Sequence, residues 1–178
     1  REFADWCGAR YAIALANGTL ALDVALKALG IGPGDEVVVT PRTFIASISS
    51  IILSNAIPVL AEVDDSLTID PNRIEELITP RTRAIMPVHM LGNPCDMDPI
   101  LEIARKHNLY VIEDCCQAFG ASYKGKRVGN FGDIAAYSLN VFKTITAGDG
   151  GAVITNDELL HERAFGFHDQ GHKPSRMG

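Results

Sequence analysis

The stretch Leu109-Tyr110-Val111-Ile112-Glu113-Asp114-Cys115-Cys116-Gln117 runs from continuous apolar residues straight into two carboxylates. Such an apolar run is a strand buried on both faces, as in a parallel sheet. Its neighbours agree with that reading. Upstream, Asp96 opens a helix through Met97, Ile100, Ile103 and Ala104 to His107, and Asn108 stops it. Before that helix, Arg83 to His89 reads as a strand carried by Ala84-Ile85-Met86-Pro87-Val88. The alternation continues toward the N-terminus. Thr19 to Leu29 puts Leu22, Ala25, Leu26 and Leu29 on one helical face, closed by Gly30. Asp35 to Thr40 is a strand, Thr43 to Leu53 a helix stopped at Asn55, and Ile57 to Val63 a further strand. Asp70-Pro71 places proline just after a cap and predicts a helix to Ile78. Downstream, Tyr123 to Val128 reads as a tight hairpin turn, and Ile134 to Leu139 and Ala152 to Thr155 as the last strands. Asp157 caps a final helix through Glu162 toward Phe167, and the polar Gly171 to Gly178 reads as a loop. This order predicts an α/β domain of three layers, αβα, with a mostly parallel sheet covered on both faces.

Composition narrows the function classes. The 178 residues, 47% hydrophobic and 21% charged, have the balance of a soluble globular domain. A net charge of −6 argues against a nucleic-acid partner, which selects a basic face. No basic run suits an acidic membrane surface. The most apolar segment, Ile45 to Leu60, is broken by Ser47, Ser49, Ser50, Ser54, Asn55 and Pro58, so it is too interrupted to span a membrane. Arg1 opens onto Glu2, Asp5 and Trp6 with neither a signal-like apolar core nor a starting Met, which predicts a piece of a longer cytoplasmic protein. Cys7, Cys95, Cys115 and Cys116 lack disulfide or C-x-x-C spacing and are expected as reduced, buried thiols, with no metal site.

In open α/β sheets ligands bind beyond the carboxyl ends of the strands, and Asp114 stands at such an end. A second polar cluster follows the next strand. Lys143 comes after Val141-Phe142 and before the glycine-rich Gly148-Asp149-Gly150-Gly151. A lysine amine, an aspartate, a hydroxyl and glycine turns are what pyridoxal 5′-phosphate (PLP) chemistry requires. The amine forms a Schiff base, the carboxylate holds the pyridine nitrogen, and the phosphate needs N–H donors. Burial at such a site would lower the lysine pKa. Asn17-Gly18-Thr19 sits just before the first helix, where backbone N–H groups form an anion site, and Ser138 can add a hydroxyl. Each signal has an ordinary reading when taken alone: a structural ion pair for Asp114, a solvated charge for Lys143, a plain helix cap for Asn17. No G-x-G-x-x-G follows an early strand, which disfavours a nicotinamide dinucleotide.

Taken together, the segments resemble the DegT/DnrJ/EryC1/StrS family of sugar aminotransferases. The resemblance is carried by Ala16-Asn17-Gly18-Thr19-Leu20-Ala21-Leu22, Gly34-Asp35-Glu36-Val37, Thr43-Phe44-Ile45-Ala46-Ser47, Pro87-Val88-His89, Asp96-Met97-Asp98, Ile112 through Ala121 and Gly148 through Asp157. It implies an aspartate-aminotransferase type fold (fold type I), PLP as cofactor, and a role for each matched residue. Lys143 matches the Schiff-base lysine, Asp114 the pyridinium partner, and Gln117 the side chain near the ring hydroxyl. Ser138, with Gly18 and Thr19, matches the phosphate site, and Phe44 the aromatic stacked on the ring, with core packing as its other reading. His89 takes the Pro-Val-His position near the site, where an ordinary core histidine is the alternative. Cys115-Cys116, Asp149 and Asn140-Val141-Phe142 depart from the family's commoner residues. The resemblance further implies transfer of an amino group from glutamate or glutamine to a keto sugar, nucleotide-linked or a keto-octulosonate or inosose. It also implies a homodimer with shared active sites. The family is about twice this length, so residues 1–178 are expected to form the PLP-binding large domain, without the N-terminal helix and the C-terminal small domain. Two rivals share this resemblance. A PLP-dependent sugar dehydratase would carry histidine where Lys143 stands, and a non-catalytic PLP-binding sensor would be fused to a DNA-binding module.

Overall fold

The computed structural model describes residues 1–173. The chain order is α1 (Glu2–Cys7), β1 (Tyr11–Leu15), α2 (Gly18–Ala28), β2 (Glu36–Val39), α3 (Ile45–Leu53), β3 (Ile57–Leu60), β4 (Thr82–Met86), α4 (Met97–His107) and β5 (Tyr110–Asp114). It continues with a small hairpin, β6 (Ser122–Tyr123) and β7 (Lys126–Arg127), then β8 (Ile134–Ser138), β9 (Gly151–Thr155) and α5 (Glu158–His168). The main sheet has seven strands in the order β1-β9-β8-β5-β4-β2-β3. From β3 to β8 every pairing is parallel, and β9 then runs antiparallel to both β8 and β1. The sheet is thus mostly parallel, as expected, with a mixed edge.

Alternation along each strand decides which core a side chain enters. Val37 and Val39, Ala84 and Met86, Ile112, and Ile134 and Ala136 point to one face, where α2, α3 and α5 cover them. Val38, Ile85 and Val111 point to the other, beneath α4 and the Ile69–Ile74 segment. Ala135, Tyr137 and Ile154 also lie on this second side, with α1 and Cys7. Helices therefore cover both faces, and the three layers follow. The punctuation read from sequence holds. Asn108 closes α4 at φ 54° and Asn55 follows α3 at φ 59°, both in the left-handed region that asparagine tolerates.

Two expectations need correction. The segment Asp70 to Ile78 is not an α-helix but two 3₁₀ turns, Pro71–Arg73 and Glu75–Leu77. Asp70 does cap it, its carboxylate accepting the Asn72 N–H at 2.9 Å. Pro80 then biases Thr79 away from helical backbone, and Ile78 is already extended, so too few residues remain for a cooperative helix. Second, the chain also forms a short α1 and β1, which no local pattern announces. β1 earns its place only by pairing with β9, a partner about 140 residues away in sequence. The predicted loop from Gly171 reaches Lys173, and its remainder lies outside the described residues.

Candidate active site

The carboxyl ends of the parallel strands β5 and β8 lie side by side, with Asp114 paired in register to Ala136. Ser138 ends β8 opposite Gly151, which starts β9, and Gly151 also faces Leu15 at the end of β1. Four chain segments therefore meet at one end of the sheet. They enclose a cavity of about 500 Å³. Seven of the residues singled out from sequence line it: Gly18, Thr19 and Phe44 from the α2 and α3 entries, Asp114 at the end of β5 with Gln117 beyond it, and Ser138 at the end of β8 with Lys143 beyond it.

One end of the cavity suits an anion. Asn17 caps α2 by accepting the Leu20 N–H at 2.9 Å, which leaves the first N–H groups of the helix for another acceptor. Gly18 has to be glycine: a Cβ there would lie 2.7 Å from Ser138 Cβ and 3.0 Å from Cys116 Sγ. Gly151 has the same constraint from behind, because its Cβ would meet Asn17 O at 2.3 Å. These close approaches bring the helix entry and the Ser138 hydroxyl together around a space that a side chain would fill. Ser138 Oγ accepts from Asn140 N–H at 3.4 Å and keeps its own proton to donate.

Asp114 lies deeper and is 3% exposed. Its Oδ2 accepts from Ser47 Oγ at 2.6 Å, and its Oδ1 from the Cys116 N–H at 3.0 Å. No Lys, Arg or His among the described residues forms an ion pair with it. A buried carboxylate is normally paired with a cation, so this one faces the cavity with a place for a positive ligand group.

Lys143 is carried on a loop closed at its base by Leu139 N–H to Gly150 O at 2.8 Å and Ala147 N–H to Leu139 O at 2.9 Å. Its Nζ sits 5.7 Å from the centroid of the Phe44 ring. Lys143 is half-buried, not buried as the sequence reading expected. Phe44 is 60% exposed, so it walls the cavity and does not pack in the core. Gln117 Oε1 accepts the Leu91 N–H at 3.3 Å, which leaves the amide N–H₂ to donate. Leu91 itself holds the left-handed conformation at φ 52°, a strained state for a leucine that borders this region.

His89 is a different case. It is fully buried outside the cavity lining, with Cys95 N–H donating to its Nδ1 at 3.1 Å and its Nε2 against Glu113 Oε2 at 3.1 Å. The core-histidine reading is the one observed. His89, Glu113 and Cys115 cluster within 4.8 Å, but Glu113 also accepts N–H groups of Gly129, Phe131 and Gly132. Four donors use the lone pairs of that carboxylate, which makes the cluster a structural network. The four cysteines are free thiols, three of them buried. Burial pushes the Cys115 thiol up to about 12, and burial followed by Asp114 raises Cys116, so neither presents a thiolate.

Sequence reasoning missed Ser47. The segment Thr43-Phe44-Ile45-Ala46-Ser47 drew attention through its aromatic, although two hydroxyls one turn apart at a helix entry were a signal for a second partner.

The profile of the DegT/DnrJ/EryC1/StrS aminotransferase family matches residues 1–177. GDP-perosamine synthase of Caulobacter vibrioides is 52% identical over 99% of this chain and 48% of its own length. The X-ray structure of the aminotransferase from Psychrobacter cryohalolentis superposes with a TM-score of 0.97 at 53% identity, covering 99% of this chain and 45% of that one. The structure of ntda from Bacillus subtilis, with its cofactor pmp bound, gives a TM-score of 0.88 at 37% identity over 93% of this chain and 38% of its own. The chain thus spans about half the length of the relatives it matches. The architecture is that of fold-type I aminotransferases. The chain belongs to the DegT/DnrJ/EryC1/StrS aminotransferase family.

Proposed function

We propose that the whole protein is a PLP-dependent aminotransferase that moves an amino group from glutamate or glutamine to a keto sugar in amino-sugar biosynthesis, with this chain as its cofactor-binding large domain. The single observation carrying the reading is Asp114, a buried carboxylate that has no cation partner among the described residues and faces a cavity also lined by Lys143. A protonated pyridine nitrogen supplies the missing charge. The anion cradle of Gly18, Thr19 and Ser138 fits a phosphate.

When bound, the coenzyme supplies an aldehyde that captures amines and a ring that withdraws electrons. The residues of this chain do the rest. Lys143 Nζ would hold the coenzyme, and its amine is the group of this chain that would take a proton from the α-carbon of the amino donor. Asp114 would hold the ring nitrogen in its protonated form. Gln117 N–H₂ is free to donate to the coenzyme, and Phe44 would pack against it. Lys143 speaks against the dehydratase branch, which carries histidine there.

A nucleotide-linked acceptor is supported by the GDP-perosamine synthase relative. A homodimer with shared sites is supported by the apolar residues left exposed at the cavity mouth, Phe44, Leu91 and the 91% exposed Phe142. Among the described residues no helix is long and apolar enough to cross a membrane, which is consistent with a cytoplasmic enzyme. The test is incubation of the whole protein with PLP, glutamate or glutamine, and a panel of nucleotide-linked keto sugars, keto-octulosonate and inosose. Formation of an amino sugar from one of them is expected. No amine product from any, or uptake of coenzyme without donor turnover as in a sensor, would overturn the reading.

A further inference from the structure

Asp114 is held by an arrangement that begins at the entry to α3. Ser47 is 1% exposed and its hydroxyl lies 2.6 Å from Asp114 Oδ2 and 2.6 Å from Thr43 Oγ1. Ser47 Oγ donates to Asp114 Oδ2, which uses the hydroxyl's single proton. Thr43 must then donate to Ser47, and the two hydroxyls form a one-way relay, Thr43 to Ser47 to Asp114. The relay is anchored at the α3 N-terminus, where Ser47 N–H bonds Phe44 O at 3.1 Å. The same helix entry therefore places the aromatic wall of the cavity and a donor on its buried charge. A second donor, the Cys116 N–H at 3.0 Å from Oδ1, arrives from the β5 side. One donor on each oxygen, from two different elements, fixes the plane of the carboxylate and leaves its remaining lone pairs toward the cavity.

We propose that Ser47, oriented by Thr43, is a positioning residue that keeps Asp114 ionised and aimed, so that the proton shared with the coenzyme's ring nitrogen stays on the nitrogen. The inference rests on the PLP reading of the cavity. Its physical basis is simple. A donated hydrogen bond weakens a carboxylate as a base, and without it a buried Asp114 competes for the proton. The relay also strengthens the final bond, because a hydroxyl that accepts a hydrogen bond donates a stronger one.

The experiment loads the whole protein with PLP carrying ¹⁵N in the ring. It compares Ser47→Ala, Ser47→Thr and Thr43→Val with the unmodified protein by ¹⁵N NMR and by the dissociation constant for PLP. The expected wild-type signal is that of a protonated ring nitrogen. Ser47→Ala should move it toward the unprotonated position and weaken PLP binding about 10- to 100-fold, the range for a lost hydrogen bond to a charged group. Ser47→Thr, which retains the hydroxyl, should restore both. Thr43→Val, on a half-exposed side chain that leaves the core intact, should shift the signal the same way by less. An unchanged nitrogen signal in Ser47→Ala and Thr43→Val, with affinity within about twofold of wild type, would overturn the role of Ser47 while leaving the PLP reading standing. Failure of the unmodified protein to take up PLP would overturn both.

Discussion

Glu113 and Asp114 are adjacent carboxylates on β5, both buried, yet they face opposite sides of the sheet and carry opposite kinds of environment. Glu113 is satisfied four times over, by His89 and by the N–H groups of Gly129, Phe131 and Gly132. Its loop is shaped for the purpose: a Cβ at Gly132 would strike Val111 O at 2.5 Å. Among the described residues Asp114 receives two donors and no cation, and its open side is a cavity. The pair teaches that burial of a charge does not mark function. The satisfied carboxylate is tied into the fold, and the incompletely satisfied one leaves a place for a positive group.

Substitutions at the two positions should separate these roles. The largest effect on folding is expected from Glu113→Gln, which keeps the shape but turns an N–H₂ group toward backbone donors. A loss of about 3 kcal/mol or more, seen as a melting temperature lowered by roughly 10 °C, is expected by calorimetry. Equal melting in the mutant would erase the contrast. Asp114→Asn should do the reverse. Melting of the cofactor-free protein stays within a few degrees, while turnover falls by about 10²- to 10³-fold because the ring nitrogen loses its counter-charge.

Acid titration sharpens the same comparison. Burial pushes Glu113 up, but the bonds from His89, Gly132 and Gly129 outweigh it and hold the carboxyl below its ordinary value. A depressed folded pKa contributes stability above the unfolded value, near 4.3, and loses it as pH falls through the folded value. Circular dichroism should show wild-type unfolding steepening below about pH 4 and a flatter limb in Glu113→Gln. The smallest effect is expected from Gly18→Ala. Its methyl would displace Ser138, weakening PLP binding by about 10-fold while leaving the far end of the cavity, including Asp114, unaltered. Equilibrium titration with PLP measures it.

Much of this was legible in the chain. The strand runs at Asp35–Thr40, Arg83–His89 and Leu109–Ile112, with stops at Gly30, Asn55 and Asn108, report local periodicity and turn chemistry, which a sequence displays directly. The cavity-lining residues were legible because most sit next to such a boundary. What stayed hidden depends on distant partners. β1 forms by pairing with β9, and the 3₁₀ turns replace a helix because Pro80 curtails it. Ser47 looked like any helix residue until α3 docked over β5 and brought its hydroxyl to Asp114 across 67 positions. Likewise the distinction between Glu113 and Asp114 lies in which backbone N–H groups reach each, and no pattern of residue types encodes that.

The most direct test of the central claim, that this cavity binds PLP through Lys143 against an unpaired Asp114, is borohydride reduction of the PLP-loaded whole protein followed by peptide mass analysis. The account predicts one reduced phosphopyridoxyl adduct, located on Lys143, with uptake sharply weakened in Asp114→Asn. An adduct spread over surface lysines, or uptake indifferent to Asp114, would contradict it.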